Sequence, residues 1–101
     1  ISLNQWVELL SANPPKMFGL YPSKGSLMPG SDADIVIFDP MKEYVINPET
    51  LHYNVDYTPF DGMKITGKLV LTMLRGKVIY KDGEFSGEKG YGKFVRRYYT
   101  P

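Results

Sequence analysis

The start of the chain has the apolar spacing of an amphipathic helix. Its apolar residues recur at intervals of three and four, which places them on one helical face: Leu3, Trp6, Val7 and Leu10. Ser2 and Gln5 have the spacing of a capping box, in which each side chain bonds the backbone N–H of the other residue. These residues predict a helix that begins directly after Ser2.

Two consecutive prolines predict that this helix is short. Pro14 and Pro15 lack the amide hydrogens that a helix interior uses, so the first helix should end before them. Asn13 followed by proline suits the cap and first position of a second short helix, which Gly19 is placed to end. The pattern thus predicts two short helices within residues 1–20.

Beyond Tyr21 the helical spacing gives way to short apolar runs separated by turn residues. The run Ile35–Phe38 is apolar at each position, which indicates a strand covered on both faces, and Pro40 should end it. A shorter strand is predicted in "EYVINPE", and an irregular loop near residues 47–66. This stretch therefore predicts strands and loops without further helices.

The clearest hairpin lies in "KLVLTMLRGKVIYKDGEF". Its strands, "LVLTMLR" and "KVIYKD", meet at Arg75-Gly76, and a second turn is predicted at Asp82-Gly83. Helices followed by strands, without a βαβ alternation, indicate a mixed α+β fold. The predicted strands are too few to cover their own apolar faces, and the chain begins at Ile1 inside a helix signal. We therefore expect this chain to be part of a longer protein.

Composition excludes several classes of function. The chain has 101 residues, of which 43% are hydrophobic and 14% aromatic, so disorder throughout is not expected. Its net charge of +1 gives no reason to expect nucleic acid or a membrane as a partner. It has no cysteine, which removes disulfides and thiolate metal sites. With no signal peptide or spanning helix apparent, a cytoplasmic location is expected.

Three aspartates in "PGSDADIVIFDP" are the first candidates for chemistry. Asp32 and Asp34 are two residues apart at the mouth of a strand, so they share a face and could form an acid/base pair or a cation site. Alternatively they accept backbone hydrogen bonds in the Gly30 turn and fix entry into the strand. No basic residue is expected nearby to tune their pKa values, and Asp39-Pro40 is a turn signal. The structural interpretation is favoured.

The other candidate residues are weaker. A metal site is not expected from one histidine, His52, which is more typical of a hydrogen-bonded structural residue. Four serines lack the sequence context of a nucleophile elbow: Ser11, Ser23, Ser26 and Ser31. Three glycines do not join a strand to a helix, as a phosphate-binding loop would require: Gly87, Gly90 and Gly92. Arg96-Arg97 beside Tyr98-Tyr99 could stack on bases, but an arm lying on a neighbouring subunit is favoured. No catalytic, cofactor-binding or metal-binding residue is assigned.

Long stretches of the chain resemble one enzyme family. "NPPKMFGLYPSKGSLMPGSDADIVIFDP" is similar to the C-terminal part of the hydantoinase and dihydropyrimidinase branch of the amidohydrolase superfamily. The likeness continues through "NVDYTPFDGMKITGK", "LRGKVIYKDGEF" and "GEKGYGKFVRR", so it covers essentially the whole chain. One departure is Pro15, where the family usually has alanine. "VDYTPFDGM" together with "GYGKFVRR" narrows the resemblance to this branch.

The resemblance implies a larger parent enzyme with a (β/α)₈ barrel and a small β-sandwich. The family uses two metal ions, usually zinc, bridged by a carboxylated lysine, to hydrolyse the ring amide of hydantoins or dihydropyrimidines. Its ligands lie at barrel strand ends, upstream of this chain, so no metal or cofactor is expected in the fragment itself. By resemblance, residues 1–20 pack on the barrel and residues 21–86 supply the C-terminal part of the sandwich. Residues 87–101 form an extended arm.

The resemblance also sets the expected partners and the competing interpretations. The partners would be the remainder of the parent chain and further copies in a dimer or tetramer. The leading interpretation is the non-catalytic C-terminal portion of a cyclic amidohydrolase. One alternative is a dihydropyrimidinase-like scaffold protein without a working metal site, and another is a free-standing β-rich binding module. The presence of a His-x-His pair and the other metal ligands upstream would distinguish the enzyme from the scaffold protein.

Overall fold

A helical segment followed by an antiparallel sheet makes up residues 1–98, the part of the chain that this computed structural model describes. Helices α1 (Leu3–Val7) and α2 (Asn13–Met17) flank a π-helical segment, Glu8–Ala12. The sheet has the order β1-β2-β3-β4, with these bounds: β1 Ile35–Val45, β2 Lys64–Leu74, β3 Lys77–Lys81 and β4 Glu84–Phe85. The mixed α+β prediction is confirmed.

The capping box at the start of α1 is confirmed. The amide of Gln5 donates to Ser2 Oγ at 3.1 Å, and the amide of Ser2 donates to Gln5 Oε1 at 2.9 Å. Trp6 then packs edge-on against the ring of Phe38 in β1, with ring centroids 4.8 Å apart. This ring pair joins the helix to the sheet, while Leu3, Val7 and Leu10 on the same helical face stay exposed. Within residues 1–98, no helical segment has the length and apolar character that crossing a bilayer requires.

The predicted break between two helices is wrong. The backbone stays helical from α1 through the π-helical segment into α2, and Asn13 has helical angles, φ −72° and ψ −43°, so it does not act as a cap. The amide of Asn13 donates to the carbonyl of Glu8, five residues earlier. This wider turn lets Pro14 and Pro15 follow without amide hydrogens because a π-turn shifts the bonding pattern. Gly19, with φ +74°, follows the end of the helix as predicted.

Pro40 does not end the first strand, contrary to the prediction. β1 continues for 11 residues and joins the two strands expected separately. Its pairing with β2 is irregular between Asp39 and Glu43, which is where Pro40 lies. β1 is an outer strand of the sheet and pairs with β2 on one side. On its other side no strand of the sheet requires a hydrogen bond from residue 40, so a proline without an amide hydrogen is tolerated there.

The predicted hairpin between β2 and β3 is confirmed. Its turn residues, Arg75 and Gly76, have φ values of +46° and +81°, and Asp82 and Gly83 have +49° and +89° at the next turn. Two successive residues in the left-handed region are typical of tight hairpin turns whose twist matches that of the strands. Strand β2 begins at Lys64, five residues before the predicted "LVLTMLR", because the pairing with β1 extends to Val45.

Gly67 lies where β2 passes under the ring of Phe38. Its φ is +101°, and a Cβ there would come within 2.7 Å of Phe38 Cζ. We expect Gly67→Ala to cost about 2 kcal/mol of unfolding free energy more than Gly62→Ala, because overpacking adds to the strain of positive φ. Gly62 has φ +82° with open space around it, so it controls for backbone strain alone. Urea unfolding followed by Trp6 fluorescence measures both; equal losses would contradict the proposed clash.

The chain leaves an unusually large surface uncovered for its mass. None of residues 1–98 is buried. The accessible surface is 8334 Å², against about 5,800 Å² expected for a compact protein of 11.5 kDa. The radius of gyration is 15.9 Å, against about 13 Å for a compact chain of this length. The apolar faces of the helix and sheet are therefore open to a covering partner.

Candidate functional site

The two aspartates at the entry to β1 are bridged by a lysine. Lys24 Nζ lies 3.0 Å from Asp32 Oδ2 and 2.5 Å from Asp34 Oδ2, and its side chain is 16% exposed. The expectation that no basic partner lies near these carboxylates is wrong. The turn-rich segment between Lys24 and Asp32 folds back, with the amide of Asp32 donating to the carbonyl of Ser23 at 2.9 Å. This return brings the lysine to both aspartates.

Asp34 also holds the turn between β2 and β3. Its Oδ1 accepts a hydrogen bond of 2.9 Å from the amide of Arg75, and the amide of Gly76 donates to the carbonyl of Ala33 at 3.0 Å. Asp34 therefore accepts a backbone hydrogen bond, as the structural interpretation required. The donor belongs to the distant hairpin and not to the Gly30 turn.

Tyr91, in the C-terminal arm, contacts the same hairpin turn. Its Oη donates to the carbonyl of Leu74 at 2.9 Å, and the Arg75 guanidinium carbon lies 4.4 Å from the centre of its ring. The Arg75 guanidinium also donates to the carbonyl of Tyr91. We call Lys24, Asp32, Asp34, Arg75 and Tyr91 the turn cluster. It ties the entry loop, the hairpin turn and the C-terminal arm together.

These contacts shift the pKa values of Asp34 and Lys24 in the turn cluster. Burial alone would raise the pKa of Asp34, but hydrogen bonds from the Lys24 ammonium and the Arg75 amide, with the charge of Lys24, hold that pKa below its ordinary value. Burial alone would lower the pKa of Lys24, but the two carboxylates raise it. Both groups are thus kept ionised and paired, which suits a structural tie and leaves no free base for proton transfer.

Asp39 and His52 take no part in this cluster. Asp39 Oδ1 accepts a hydrogen bond of 2.9 Å from the amide of Met41, which shapes the irregular part of β1. The ring of His52 lies 6.0 Å from that of Tyr80 and 6.1 Å from that of Phe85, centre to centre. His52 is therefore held by neighbouring rings, where hydrogen bonding had been expected.

The metal centre that the family implies does not fit the residues of this chain. Among residues 1–98, no three His, Asp or Glu side chains are grouped so that they could hold a metal ion. The two carboxylates that do meet, Asp32 and Asp34, already bind the ammonium of Lys24. We therefore derive no chemical step through a metal on this chain, and the assignment of no metal-binding or catalytic residue stays a prediction.

The remaining candidates are dispersed. Ser31 Oγ donates to the carbonyl of Pro22 at 2.7 Å, which stabilises the entry loop. Ser11 and Ser26 line a cavity described below, and the structure gives neither a basic partner within the described residues. Arg96 and Arg97 are exposed on the arm; Tyr99, predicted beside them, lies outside the described residues.

An apolar cleft opens between the helix and the sheet beside the turn cluster. It has a volume of about 620 Å³, and strands β1, β2 and β3 line it together with the helix and the loop at Gly25. Val7, Val36 and Leu74 are among its lining residues, and Val36 is 55% exposed. A cleft of this composition can take apolar side chains from a covering segment.

A second cavity, of about 440 Å³, lies in the loop between β1 and β2. We call it the tyrosine groove, and its lining residues are Tyr44, Ile46, Leu51, Tyr53, Val55, Tyr57, Thr58, Pro59 and Phe60. The hydroxyl of Tyr53 donates to the carbonyl of Tyr57 at 2.9 Å, which closes the loop on itself. Sequence reasoning treated this stretch as an irregular loop. The clustering of three tyrosine and phenylalanine rings in the loop, at Tyr53, Tyr57 and Phe60, was the available signal.

Comparison with known proteins identifies the family. The model of the amidohydrolase family matches residues 1–79, so this chain belongs to that family. Within the family, it is 50% identical over 97 residues to the D-hydantoinase of Geobacillus stearothermophilus and 45% identical to that of Streptomyces coelicolor. It is also 50% identical to D-phenylhydantoinase of Escherichia coli. These matches cover 96% of this chain and 21% of each relative. The resemblance to the hydantoinase branch is confirmed.

Solved structures agree with this fold. A D-hydantoinase crystal structure matches 97% of the chain with a TM-score of 0.90 at 49% identity. The dihydropyrimidinase of Brevibacillus agri matches all of it with a TM-score of 0.89 at 44% identity. The L-hydantoinase of Arthrobacter aurescens matches 96% with a TM-score of 0.84. The chain spans about a fifth of each of these proteins, 21% or 22%.

Proposed function

We propose that this chain is the C-terminal portion of a cytoplasmic, metal-dependent cyclic amidohydrolase that opens the ring amide of hydantoins or dihydropyrimidines. The observation that carries the proposal is the 50% identity over 97 residues to D-hydantoinases. The named relatives include D-hydantoinases, a dihydropyrimidinase and an L-hydantoinase, so the substrate ring and its handedness are left open. Two metal ions, which zinc would suit, belong to the remainder of the parent.

We infer a structural role for the chain itself. Its helix and sheet leave the apolar cleft open, and its surface exceeds that of a compact protein by about 2,500 Å². That excess is of the size that obligate interfaces cover. The remainder of the parent chain is the partner that this surface suits, with strands that complete the sandwich and a barrel beside residues 1–20. The arm from Gly87 onward is a contact between subunits of a dimer or tetramer.

The activity is tested on the complete parent protein, including the polypeptide that precedes Ile1. We expect purified parent to open hydantoin or dihydrouracil, to lose that activity when a chelator removes its metal, and to regain it with Zn²⁺. Ring opening is followed by the loss of ultraviolet absorbance of the cyclic substrate. A parent that lacks the upstream His-x-His pair and stays inactive with every metal would favour the scaffold alternative.

The 101-residue chain provides the matched control. We expect it to be inactive under the same conditions, with or without Zn²⁺, because none of its described side chains forms a metal site. Ring opening by the chain alone, retained through repeated purification and abolished by Asp34→Ala, would refute its structural role. A stable monomer that binds a small ligand tightly would instead favour the binding-module alternative.

A further inference from the structure

The C-terminal arm contacts its own chain at two points. At the first, the hydroxyl of Tyr91 donates to the carbonyl of Leu74 at 2.9 Å, and the guanidinium carbon of Arg75 lies 4.4 Å from the centre of the Tyr91 ring. At the second, the amide of Tyr98 donates to the carbonyl of Gly19 at 2.9 Å. The arm therefore runs from the turn between β2 and β3 to the end of the helical segment.

The second contact depends on a glycine. A Cβ placed at Gly19 would overlap the carbonyl of Tyr98, so no side chain fits there while the arm keeps its position. Gly19 also has φ +74°, the left-handed conformation in which many helices end. The absence of a side chain at residue 19 therefore serves the arm as well as the helix end.

The helical segment stands apart from the sheet. The ring of Trp6 packs against that of Phe38, but each Cα of residues 3–17 lies more than 8 Å from each Cα of the four strands. The apolar cleft lies between the two. Side chains and connecting segments, and not close backbone packing, must therefore hold the helical segment in place.

The arm completes a closed ring of contacts. From Gly19 the chain enters the loop that leads to Asp34, whose carboxylate accepts a hydrogen bond of 2.9 Å from the amide of Arg75 in the hairpin turn. From that turn the contact with Tyr91 leads into the arm, and Tyr98 returns to Gly19. The helix end is thus connected to the hairpin turn twice. The second connection removes conformational freedom that a single one leaves.

We propose that the arm between Tyr91 and Tyr98 is an intrachain strap, which fixes the end of the helical segment to the turn between β2 and β3. All of its contacts lie within a single copy of the chain. Because residues 1–20 are proposed to pack on the barrel of the parent, the strap would also fix the barrel relative to the sandwich. That second step rests on the proposed function, and the strap itself does not.

Hydrogen exchange in the complete parent protein tests the strap. The probe is the peptide spanning residues 16–24, in which the amides of Leu20 and Tyr21 donate to a carbonyl of the helical segment. We expect Gly19→Ala to raise the exchange rate of this peptide at least about fivefold, because the added Cβ displaces Tyr98 and its hydrogen bond no longer opposes opening of the helix end. Mass spectrometry measures the rate, and an unchanged rate would overturn the strap.

Shortening the parent separates the strap from backbone strain at Gly19. A parent that ends at residue 94 has no Tyr98 carbonyl for the added Cβ to overlap. We expect shortening alone to raise the exchange rate about fivefold, and Gly19→Ala to add no more than about twofold to it. Equal effects of Gly19→Ala in the two lengths would assign the change to strain at positive φ and refute the strap. A parent that ends at residue 99 keeps the Tyr98 amide and should exchange like the wild type; exchange as fast as in the shorter protein would also refute it.

Tyr91→Phe tests the other end of the strap. The substitution removes the hydroxyl that bonds the carbonyl of Leu74 and keeps the ring beside Arg75. We expect the same helix-end peptide to exchange about threefold faster in the full-length parent, because the arm is then held less firmly. In the parent that ends at residue 94, Tyr91→Phe should leave the rate unchanged. No effect at full length, or the same effect in both lengths, would contradict a strap that begins at Tyr91.

Assembly is followed on the same samples, because the arm is also proposed to contact other subunits. Gly19→Ala and Tyr91→Phe both keep the whole arm, and sedimentation velocity shows whether the subunits stay together. We expect faster exchange of the helix-end peptide while the assembly remains intact. Faster exchange confined to samples that have dissociated would mean that the arm acts between copies, and the strap would be rejected.

Discussion

Asp34→Ala is expected to lower the free energy of unfolding by about 2–3 kcal/mol, the largest loss from any single change in the turn cluster. The substitution removes the carboxylate that accepts from the Arg75 amide at 2.9 Å and from Lys24 Nζ at 2.5 Å. It leaves the ammonium of Lys24, 16% exposed, with Asp32 as its remaining partner in the cluster. Hydrogen bonds to charged groups contribute about 1.5–3 kcal/mol each, and solvent access to Asp34 moderates the sum.

Asp32→Ala is the matched control for Asp34→Ala. Asp32 bonds the same ammonium at 3.0 Å, but its side chain is 41% exposed and holds no hairpin amide. We expect it to cost less than about 1 kcal/mol, as exposed ion pairs do. Urea unfolding at pH 7 measures both variants. Equal losses would mean that the two carboxylates contribute alike and that the bond to the hairpin turn adds nothing.

The pH dependence of stability gives an independent check on the same pair. The pKa of Asp34 is lower in the folded state than its ordinary value of 3.8, so its contribution is present above that value. It is lost as the pH falls through the lower, folded-state pKa. The difference in unfolding free energy between wild type and Asp34→Ala should therefore shrink on acidification below about pH 4. A difference that stayed constant would show that packing, and not charge, accounts for the loss.

Local features of the fold followed from the sequence because their causes are local. The capping box needs Ser2 and Gln5 at one spacing, and the hairpin needs two residues able to take positive φ between apolar runs. The errors at Pro14 and Pro40 have a common origin. The rules that prolines end helices and strands apply to regular helices and central strands. Here Pro14 follows a π-turn and Pro40 lies in the irregular part of an outer strand, where the absent amide hydrogens are tolerated.

The turn cluster could not be predicted because its members come from distant parts of the chain. Asp34 and Arg75 are 41 residues apart, and Tyr91 lies a further 16 residues along the chain. No periodicity links residues at these separations; the antiparallel pairing of β1 with β2 brings them together. The family resemblance identified the family and the fold without revealing these contacts. The resemblance did explain why the chain has few strands and an open apolar surface, because it implies a larger parent protein. Local sequence patterns showed only that the strands were too few to cover their apolar faces.

Val36→Asp is expected to destabilise the complete parent protein by about 3 kcal/mol, although Val36 is 55% exposed in this structure. Val36 lines the apolar cleft, and we propose that the remainder of the parent covers that cleft. A carboxylate placed there would lose its hydration without gaining a hydrogen-bond or charge partner, and this desolvation costs several kcal/mol. The cost is smaller if the carboxylate takes up a proton. Thermal and urea unfolding of the parent measure the loss.

Met41→Asp distinguishes a covered cleft from a general intolerance of charge in β1. Met41 lies on the same strand, is 80% exposed and does not line the cleft, so its replacement should cost less than about 0.5 kcal/mol in the parent. In the 101-residue chain alone, where the cleft is open, the two substitutions should have similar small effects. A large difference between them in the isolated chain, or none in the parent, would contradict coverage of the cleft. The contrast between the two proteins therefore tests the covered cleft without relying on catalytic activity.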